Sequence, residues 1–600
     1  MCGIIAYFGN KNVAPILIEG LKKLEYRGYD SAGVCLLNGG ELYSAKVKGR
    51  VSELEGAALE LKPSTIGIAH TRWATHGEPS EINAHPHFDC KNEIAVVHNG
   101  IIENYTTLKE ILEKEGHKFI SKTDTEVLPH LIEKFYEGDL EKAVIKTLGL
   151  VVGTFGIAVL HKKENKIVVA RRGSPILLGV GEGENIVASD AVAVLPYTKN
   201  VIYLNDNEMA VLTEGKYEIK NFNGQIVEKE IDEIKWTASE IEKKGFKHFM
   251  LKEIFDQPEA IENTMRGRIE ENLNIKLSID KIDFSAVERI LIVACGTAWH
   301  AGLMGKYLIE KIAKVPVEVD YGSEFRYRDP IVSKKDLFIV ISQSGETADT
   351  LAALREAKSK GAQTLGIINV VGSTVAREVD AGIYLHAGPE IGVASTKAFT
   401  CMLTAVTLLS IFLAQHKKII IEKEFFDELK SLPVKIDEVL HQSDVILEIA
   451  RKFQDTKNFF FLGRGLNFPL SLEGALKVKE TSYIHAEGYP AGEMKHGHIA
   501  LIDNELVSVF IATKDHTYSK ILSNMEEVHA RGGQIIAIVN EADNAITNIT
   551  KDTITVPLCR EELMSIVSTV AIQLLAYHIA NLKDIDVDKP KNLAKSVTVE

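Results

Sequence analysis

The sequence lacks a basic excess, a cysteine framework and an apolar run of membrane-spanning length. Its formal net charge is −14 over 600 residues, which argues against a broad nucleic-acid or membrane-surface footprint. The six cysteines form no CxxC pair, so neither a disulfide framework nor a zinc knuckle is indicated, and a reducing cytoplasm fits best. The stretches "CMLTAVTLLSIFLA" and "SIVSTVAIQLLAYHIA" fall short of the roughly 18 to 20 residues of a span, and they predict buried core helices.

A duplication organises the second half of the chain. The stretches that end at Asn369 and Asn540 both read as strand, turn, amphipathic helix, glycine and strand, at an offset of 171 positions. Upstream, "RILIVACGTA" and "NFFFLGRGLN" align with glycines at 296 and 465. Alternating apolar strands and helices predict two α/β domains, each a parallel sheet covered by helices, over residues 282–423 and 452–590.

The first 220 residues have a different pattern. Short strands such as "GIIAYFG" and "IAVVHNG" recur with turn signals, which predicts an α+β domain rich in antiparallel sheet over residues 1–220. Between residues 225 and 260 the chain turns charged, which predicts a linker with lead-in helices over residues 221–281. Residues 591–600 form a C-terminal tail.

Cys2 directly follows the initiator methionine. Methionine is normally trimmed before a small residue, so we expect a mature chain whose first residue carries both a thiol and a free α-amine. Such an amine titrates near 7.7 to 8.0 and can take the thiol proton and later return it to a leaving group. Taken alone, a second-position cysteine is as well explained by chance, so this interpretation depends on the motifs downstream.

Those motifs are "HTRWATHGEP", "VHNGIIENY" and "SKTDTEVL". Asn99 and Gly100 follow a strand and offer an amide and an unobstructed N–H to a developing oxyanion, although Asn-Gly alone is simply a turn. Arg72 and Asp124 could bind the carboxylate and ammonium of an amino-acid substrate, although each alone is more often a surface charge.

Together with "CGIIAYFG" and "LEYRGYDSAG", these motifs resemble the N-terminal-nucleophile glutamine amidotransferases of the sugar-phosphate subgroup. The resemblance implies a four-layer αββα fold in which Cys2 attacks the glutamine side-chain amide and releases ammonia from a thioester. It assigns the oxyanion hole to Asn99 and Gly100 and the ammonia gate to Trp73. Glutamine binding is assigned to Arg72, Thr75, His76 and Asp124.

In the second half, "SQSGETADT" opens a helix after an apolar strand, and hydroxyls around a helix N-terminus can cradle a phosphate without net positive charge. Alternatively, these Ser and Thr side chains only cap the helix N-terminus. The second copy has "ATKDHTYS" there, so we expect only the first to bind phosphate this way. The second copy instead carries Glu473, Lys477 and Glu480 along one stripe of a helix, which could supply acid–base groups. Alternatively, these residues form only a solvated ion pair.

The residues alone do not decide the roles of two further groups. His496 and His498 make a weak metal pair without a placed carboxylate. Lys595 is usually explained as a solvated tail charge, but a desolvated amine there could form a Schiff base with a ketose carbonyl.

The motifs "ACGTAWHAG", "ISQSGETADT", "EIGVASTKAFT", "SLEGALKVKETSYIHAE", "GEMKHG" and "KNLAKSVTVE" resemble the paired, flavodoxin-like sugar-isomerase domains of the glutamine:fructose-6-phosphate aminotransferase family, and with the first domain the likeness spans the chain. It implies conversion of fructose 6-phosphate and glutamine to glucosamine 6-phosphate and glutamate. The resemblance assigns the imine with the ketose to Lys595 and the opening of the sugar ring to His496 of a neighbouring subunit. It assigns the proton shift between C1 and C2 to Glu480, with Lys477 assisting at the sugar hydroxyls. Phosphate and sugar binding is assigned to Thr297, Ser342, Gln343, Ser344, Thr347 and Ser395.

The resemblance also implies a cytoplasmic homodimer without cofactor or metal, acting on two small molecules and on neither nucleic acid nor membrane. Two departures from the family pattern are Ala298, where serine is common, and His498, where proline is common; we expect one lost hydrogen bond and a less rigid loop. Rival readings are an amidotransferase or deglycase for another sugar phosphate, or a sugar-phosphate-sensing regulator.

Overall fold

The computed structural model describes residues 2–234, 242–541 and 544–598. The described residues of Met1–Ile241 and Ala594–Glu600 form one compact unit, and those of Glu242–Leu593 form a second. The two are called the first and second unit below, and each is described by itself. Residues 235–241 of the predicted linker lie outside the described residues.

The first unit is built mostly from antiparallel strands. Its strands are β1 (Gly3–Phe8), β2 (Ser31–Asn38), β3 (Glu41–Lys48), β4 (Ile66–Arg72), β5 (His87–Phe88), β6 (Ile94–Ile102), β7 (Gly153–His161), β8 (Glu164–Arg172), β9 (Leu177–Val180), β10 (Asn185–Ala188), β11 (Asn200–Tyr203), β12 (Glu208–Thr213), β13 (Lys216–Asn221) and β14 (Asp232–Glu233). Its helices are α1 (Val13–Leu24), α2 (Val51–Leu59), α3 (Tyr105–Lys114), α4 (Val127–Phe135) and α5 (Leu140–Leu148).

Within the described part of the first unit, two antiparallel sheets run in the orders β14-β11-β9-β10-β1-β4-β2-β3 and β13-β12-β8-β7-β6-β5. Strand β1 shows how they stack, because its side chains alternate between two apolar layers. Ile4 and Ala6 join a core made by both sheets, whereas Ile5 and Tyr7 pack with the helices α1 and α2. Helices α3 to α5 cover the outer face of the second sheet. The result is the predicted four-layer αββα fold.

The first sheet extends beyond the expected domain end at residue 220. Strand β14 pairs with β11 at Val201 and Asp232, so part of the region predicted as linker adds an edge strand to this sheet. The charged sequence around it hides that strand, because a two-residue edge pairing needs no apolar alternation.

The second unit alternates strands and helices. Its strands are β15 (Arg289–Ala294), β16 (Val317–Tyr321), β17 (Asp336–Ser342), β18 (Gln363–Ile368), β19 (Ala381–Tyr384), β20 (Asn458–Gly463), β21 (His485–Pro490), β22 (Val507–Ile511), β23 (Gln534–Val539) and β24 (Thr553–Thr555). Its helices are α6 (Phe249–Phe255), α7 (Gln257–Met265), α8 (Thr297–Ile312), α9 (Gly322–Tyr327), α10 (Ala348–Ser359), α11 (Thr374–Glu378), α12 (Lys397–His416), α13 (Lys423–Leu440), α14 (Ser443–Phe453), α15 (Asn467–Ser482), α16 (Tyr518–His529), α17 (Asn544–Thr547) and α18 (Glu561–Leu582).

Two parallel sheets of the second unit share one topology. Their orders are β16-β15-β17-β18-β19 and β21-β20-β22-β23-β24, which is the same flavodoxin-like order twice. This confirms the duplicated parallel-sheet fold. In such sheets the direction of winding reverses between the first and third strands, and ligands bind at the carboxyl ends there.

Helices α12 and α18 have 20 and 22 residues, so they are longer than predicted, and by length and composition alone each could cross a membrane. Their apolar windows are 89% and 100% buried inside the fold, and both helices belong to the main core of the second unit. The hydroxyls of Thr404 and Thr407 on α12 donate to carbonyls one turn earlier, at 2.8 Å each, so the helix satisfies its own polar groups. They are core helices, as predicted.

We expect Gly488→Ala to destabilise the second unit. A Cβ at this strand position would lie 2.6 to 2.7 Å from the backbone of Ser471 and Leu472, where β21 packs directly on α15. Overpacking of this kind costs about 1–3 kcal/mol. Gly382→Ala is the matched control, because its Cβ would meet nothing closer than 3.9 Å on the corresponding sheet. Calorimetry should show a lower unfolding temperature for the first variant only; equal temperatures would contradict the packing argument.

Two candidate active sites

Cys2 lies just before β1 and faces the end of β4. The backbone N–H of Trp73 donates to its Sγ at 3.3 Å, and the thiol lies 3.5 Å from the Trp73 carbonyl. Loss of hydration raises the pKa of the Cys2 thiol, and the Trp73 N–H offsets only part of that rise. The sulfur is therefore a thiol at neutral pH, and a nucleophilic reaction here needs a base.

Asn99 and Gly100 lie beside this cysteine, inside β6 and not after a strand as the sequence predicted, because β6 continues to Ile102 in its pairing with β7. The Asn99 Nδ2 donates to the Cys2 carbonyl at 3.1 Å, and its Oδ1 lies 3.1 Å from the His70 ring Nε2, which orients the amide. Gly100 has φ of +133°, and a Cβ would lie 2.1 Å from the carbonyl oxygen of Thr154. No larger residue fits, so the sequence places an unobstructed backbone next to the nucleophile.

The four residues predicted to bind an amino-acid substrate are also brought together. Arg72 ends β4, and its guanidinium donates to the carbonyl oxygens of His76 and, at 3.0 Å, Gly77. The His76 Nδ1 lies 3.3 Å from the hydroxyl of Thr75 and 3.9 Å from Oδ1 of Asp124. The other Asp124 oxygen accepts from the Ile102 N–H at 2.8 Å, so strand β6 fixes this carboxylate.

A group of buried histidines under this site was not found by sequence reasoning. The rings of His70 and His85 stack at 4.0 Å, and the His85 Nδ1 accepts from the His98 N–H at 3.1 Å. Burial lowers the pKa of His70 to about 3 and that of His85 well below its ordinary value, so both rings are neutral. The sequence does contain a signal for this group: the stretch "AHPHF" carries His85 and His87, and the apolar strands β4 and β6 each carry one further histidine.

The second candidate site joins the two sheet domains of the second unit. Glu473, Lys477 and Glu480 lie along one stripe of α15, as predicted. The Lys477 Nζ is 3.4 Å from a Glu473 oxygen and 2.5 Å from a Glu480 oxygen, and Lys477 and Glu473 are fully buried. Burial opposes the charge on Lys477, but the two carboxylates outweigh it and raise its pKa above the ordinary value.

Helix α8 of the first copy contributes to this cluster. The Thr297 hydroxyl accepts from the Lys477 Nζ and donates to Glu473, both at 3.1 Å. His300, which the sequence motifs did not single out, also joins this cluster. Its Nδ1 lies 2.7 Å from the other Glu473 oxygen. Its position one turn after Thr297 was the signal for it. Ala298 is buried between them in the first turn of α8.

The predicted phosphate loop follows β17 and leads into α10. The Ser342 hydroxyl accepts from the Gly345 N–H at 2.9 Å, and the Ser344 hydroxyl accepts from the Glu346 N–H at 3.2 Å. Gly345 has φ of +64°, and a Cβ there would lie 2.0 Å from the Ser373 hydroxyl. That hydroxyl is buried and has no hydrogen-bond partner among the described residues, which suits a polar ligand at this turn.

Three other predicted residues line the same end of the sheet. The Gln343 carbonyl accepts from the Val370 N–H at 3.3 Å, Thr347 is the residue before α10, and Ser395 donates to Glu390 at 3.0 Å. In the second copy, Asp515 stands at the position of Ser344. Its carboxylate accepts from the backbone N–H and hydroxyl of Thr517 at 2.6 and 2.7 Å, so an acidic side chain occupies the matching helix start.

Two predicted catalytic residues are not part of this cluster. His496 ends a short 3₁₀ helix and is exposed, while Lys595 lies in the terminal segment grouped with the first unit. Nearby, the rings of His498 and Tyr489 stack with their centroids 3.6 Å apart. This contact anchors the loop that was expected to be less rigid because His498 replaces a proline. The tail is held at Lys591, whose N–H donates to the Tyr483 hydroxyl at 2.6 Å.

The comparisons with known proteins cover both sites. The chain matches the SIS domain over residues 283–411 and 452–582 and the glutamine amidotransferase domain over residues 70–196. It is 53% identical to a glutamine–fructose-6-phosphate aminotransferase (isomerizing) of Chlorobaculum tepidum and 51% identical to one of Bacteroides thetaiotaomicron, each over 100% of both chains. A solved C-terminal domain of glucosamine-fructose-6-phosphate aminotransferase from Francisella tularensis covers 58% of this chain and 99% of its own, at TM-score 0.55 and 42% identity.

We expect acid to destabilise the first unit through its buried histidines. His85 has a folded pKa far below its ordinary 6.5, so the unfolded chain binds the extra proton and stability falls as pH drops below 6.5. In His85→Asn, an amide oxygen can still accept from the His98 N–H, but nothing titrates. The variant should therefore lose less stability on acidification, by up to about 1.4 kcal/mol per pH unit.

Calorimetry from pH 7.5 to 5 measures this difference. His441→Asn, at a side chain that is 76% exposed, is the control and should follow wild type. Parallel pH profiles for His85→Asn and wild type would show that His85 does not carry the effect.

Proposed function

Since this chain belongs to the glutamine–fructose-6-phosphate aminotransferase (isomerizing) family, we propose how its residues divide that family's reaction between the two candidate sites. The enzyme converts fructose 6-phosphate and glutamine to glucosamine 6-phosphate and glutamate, the first step of amino-sugar synthesis. The amidotransferase domain supplies ammonia from glutamine, and the paired isomerase domains add it to the sugar and shift the carbonyl from C2 to C1.

In the first unit, we assign the nucleophile to Cys2. Its raised pKa means that the proton must leave as the sulfur attacks, and the α-amine of a trimmed chain is the base. The sulfur bonds to the glutamine amide carbon, the negative charge forms on the amide oxygen, and Asn99 Nδ2 with the Gly100 N–H stabilises it. The returned proton goes to the leaving ammonia, and water then releases glutamate from the thioester.

Glutamine is held by charge complementarity. Asp124, fixed by the Ile102 N–H, binds the substrate ammonium, and Arg72 binds its carboxylate. Thr75 and His76 stand between these two charges and contribute polar contacts. We assign the ammonia gate to Trp73, because its backbone already contacts the Cys2 sulfur from which ammonia leaves.

In the second unit, the single observation that carries our assignment is the buried contact between Lys477 and Glu480. The carboxylate of Glu480 is held 2.5 Å from a buried ammonium, which positions it as a base for a carbon-bound proton. Glu480 removes a proton from C1 and returns it to C2, while Lys477 assists at the sugar hydroxyls. The net change moves the carbonyl to C1 and leaves the amine on C2.

Sugar and phosphate binding are assigned to the carboxyl end of the first parallel sheet. The cradle consists of Thr297, Ser342, Gln343, Ser344, Thr347 and Ser395. Its turn is built by Gly345, and the N-terminus of α10 adds a partial positive charge, so an acidic protein can hold a phosphate there.

Lys595 and His496 complete the assignment. The Lys595 amine condenses with the ketose C2 carbonyl and loses water, and ammonia then displaces the amine, so that the nitrogen from glutamine stays on C2. His496 is exposed in its own chain, which supports a role at the site of a neighbouring subunit in ring opening. We therefore propose a homodimer, working in the cytoplasm, in which ammonia travels between sites shielded from water because free ammonia is mostly protonated there.

Three variants test the division of labour by following glutamate and glucosamine 6-phosphate together. Cys2→Ala should lose both products when glutamine is the nitrogen source. Lys595→Ala should lose the amino sugar while glutamine hydrolysis persists. Glu480→Gln should lower amino-sugar formation by roughly 10²–10⁴-fold, the usual contribution of general acid–base catalysis.

Lys591→Ala is the matched control, because it removes a nearby tail lysine whose backbone anchor to Tyr483 remains. It should form the two products one for one, like wild type. Amino-sugar formation by Lys595→Ala at the wild-type rate would remove Lys595 from the mechanism, and equal loss in Lys591→Ala would attribute the effect to the tail as a whole.

A further inference from the structure

Four side chains of the first unit that the proposed reaction does not use converge at one place. Cys90 lies between β5 and β6, His117 follows α3, and His130 and Glu133 lie one turn apart on α4. One ligand atom from each of these four residues lies within 4.8 Å of all the others. We propose that this cluster is a metal site for a zinc-type divalent ion.

The distances between the ligand atoms match a tetrahedron. Metal–ligand lengths of about 2.0 to 2.3 Å at tetrahedral angles put neighbouring ligand atoms roughly 3.3 to 3.6 Å apart. Here the Nδ1 atoms of His117 and His130 are 3.3 Å apart, and the Cys90 Sγ lies 3.7 and 3.5 Å from them. A Glu133 oxygen lies 3.3 Å from the His117 Nδ1 and 3.9 Å from the His130 Nδ1.

Hydrogen bonds alone do not account for this convergence. The His117 Nδ1 is within 3.7 Å of a sulfur, a nitrogen and an oxygen at once, but one ring nitrogen carries at most one proton and directs it at one acceptor. The remaining contacts would bring lone pairs together. A cation at the centre turns the same contacts into four bonds, with the Cys90 proton released to solvent as the thiolate forms.

The surroundings resemble those of a metal-bound thiolate and imidazole. The Lys118 N–H donates to the Cys90 Sγ at 3.4 Å, and the Cys90 N–H donates to Glu133 at 3.2 Å. On the far side of His130, the ring Nε2 lies 3.8 Å from a Glu126 carboxylate oxygen. This distance is longer than a hydrogen bond, so the carboxylate acts on the ring through its charge. One sulfur, two imidazoles and one carboxylate favour zinc over magnesium or calcium, which prefer oxygen ligands.

The ion would tie together three segments around the glutamine site. Residues 118–126 connect His117 to α4 and contain Asp124, and Glu126 accepts from the N–H groups of Ile120 and Ser121 at 2.8 and 2.7 Å. Fixing His117 and His130 to one ion fixes both ends of this segment. The metal therefore acts as a positioning group for Asp124, and this consequence rests on the proposed role of Asp124 in glutamine binding.

The metal content of the full chain tests the site directly. The protein is purified without a metal-affinity tag, stripped with a chelator, and titrated with Zn²⁺ and, separately, Co²⁺. We expect one tightly held ion per chain. The cobalt form should show the intense visible bands of a tetrahedral site and a near-ultraviolet thiolate-to-cobalt band. Cys90→Ser should lose the thiolate band, and Cys90→Ser with His130→Ala should lose stoichiometric binding.

Cys90→His keeps a ligand in place and should retain one ion per chain without the thiolate band. His441→Ala, an exposed histidine of the second unit, is the control and should bind metal like wild type. Stripped wild-type protein that takes up no more Zn²⁺ than the double variant would overturn the proposal. So would cobalt spectra identical in wild type and Cys90→Ser.

Kinetics test the consequence separately. Removing the ion should raise the KM for glutamine in the hydrolysis reaction and leave kcat close to its original value, and Zn²⁺ should restore the KM. Stoichiometric zinc with an unchanged KM would keep the metal site and reject the link to Asp124. If the role of Asp124 is itself wrong, Asp124→Asn will leave the KM unchanged in the metal-loaded enzyme, and metal content will still decide the site.

Discussion

A buried ammonium needs a compensating negative charge, and in the second unit this ammonium belongs to Lys477. Its Nζ lies between Glu473 and Glu480, and loss of both carboxylates would leave an uncompensated charge in the core. Glu473 also binds Thr297 and His300 of α8, so the constraint extends across both copies of the duplicated domain. Helix α15, which carries Glu480, is thereby held against helix α8 at the carboxyl end of the first parallel sheet.

The first unit solves a related problem with neutral groups. Its nucleophile lies over a layer of buried histidines whose low pKa values keep them uncharged, and His70 can then hold the Asn99 amide in one orientation. The neighbouring Arg72 guanidinium also lowers the pKa of His70 and disfavours a charged ring. The oxyanion donor therefore depends on a ring that never enters the chemistry.

Much of the fold and the candidate sites could be predicted from the sequence, because strand periodicity, the 171-residue offset and ordered motifs are local signals. The stripe of Glu473, Lys477 and Glu480 follows from helical spacing alone. The residues that were missed depend on tertiary proximity. His300 faces a helix of the other copy, and β14 exists only through its pairing with β11. The cluster of Cys90, His117, His130 and Glu133 is assembled from three segments with no repeated spacing, so a search for metal motifs passes over it.

Asp515 has a meaning for the duplicated domain as a whole. Its carboxylate satisfies the N–H of Thr517 at the start of α16, where the first copy offers Ser344 and a polar turn. The second copy thus places a carboxylate of its own chain at this turn, whereas the phosphate proposed for the first copy would come from the substrate. By linkage, a bound phosphorylated sugar would stabilise the second unit as a whole, because the proposed binding groups come from both copies and one core joins them. The second copy needs no phosphate at its own turn, and it contributes the proposed acid–base groups on α15 instead.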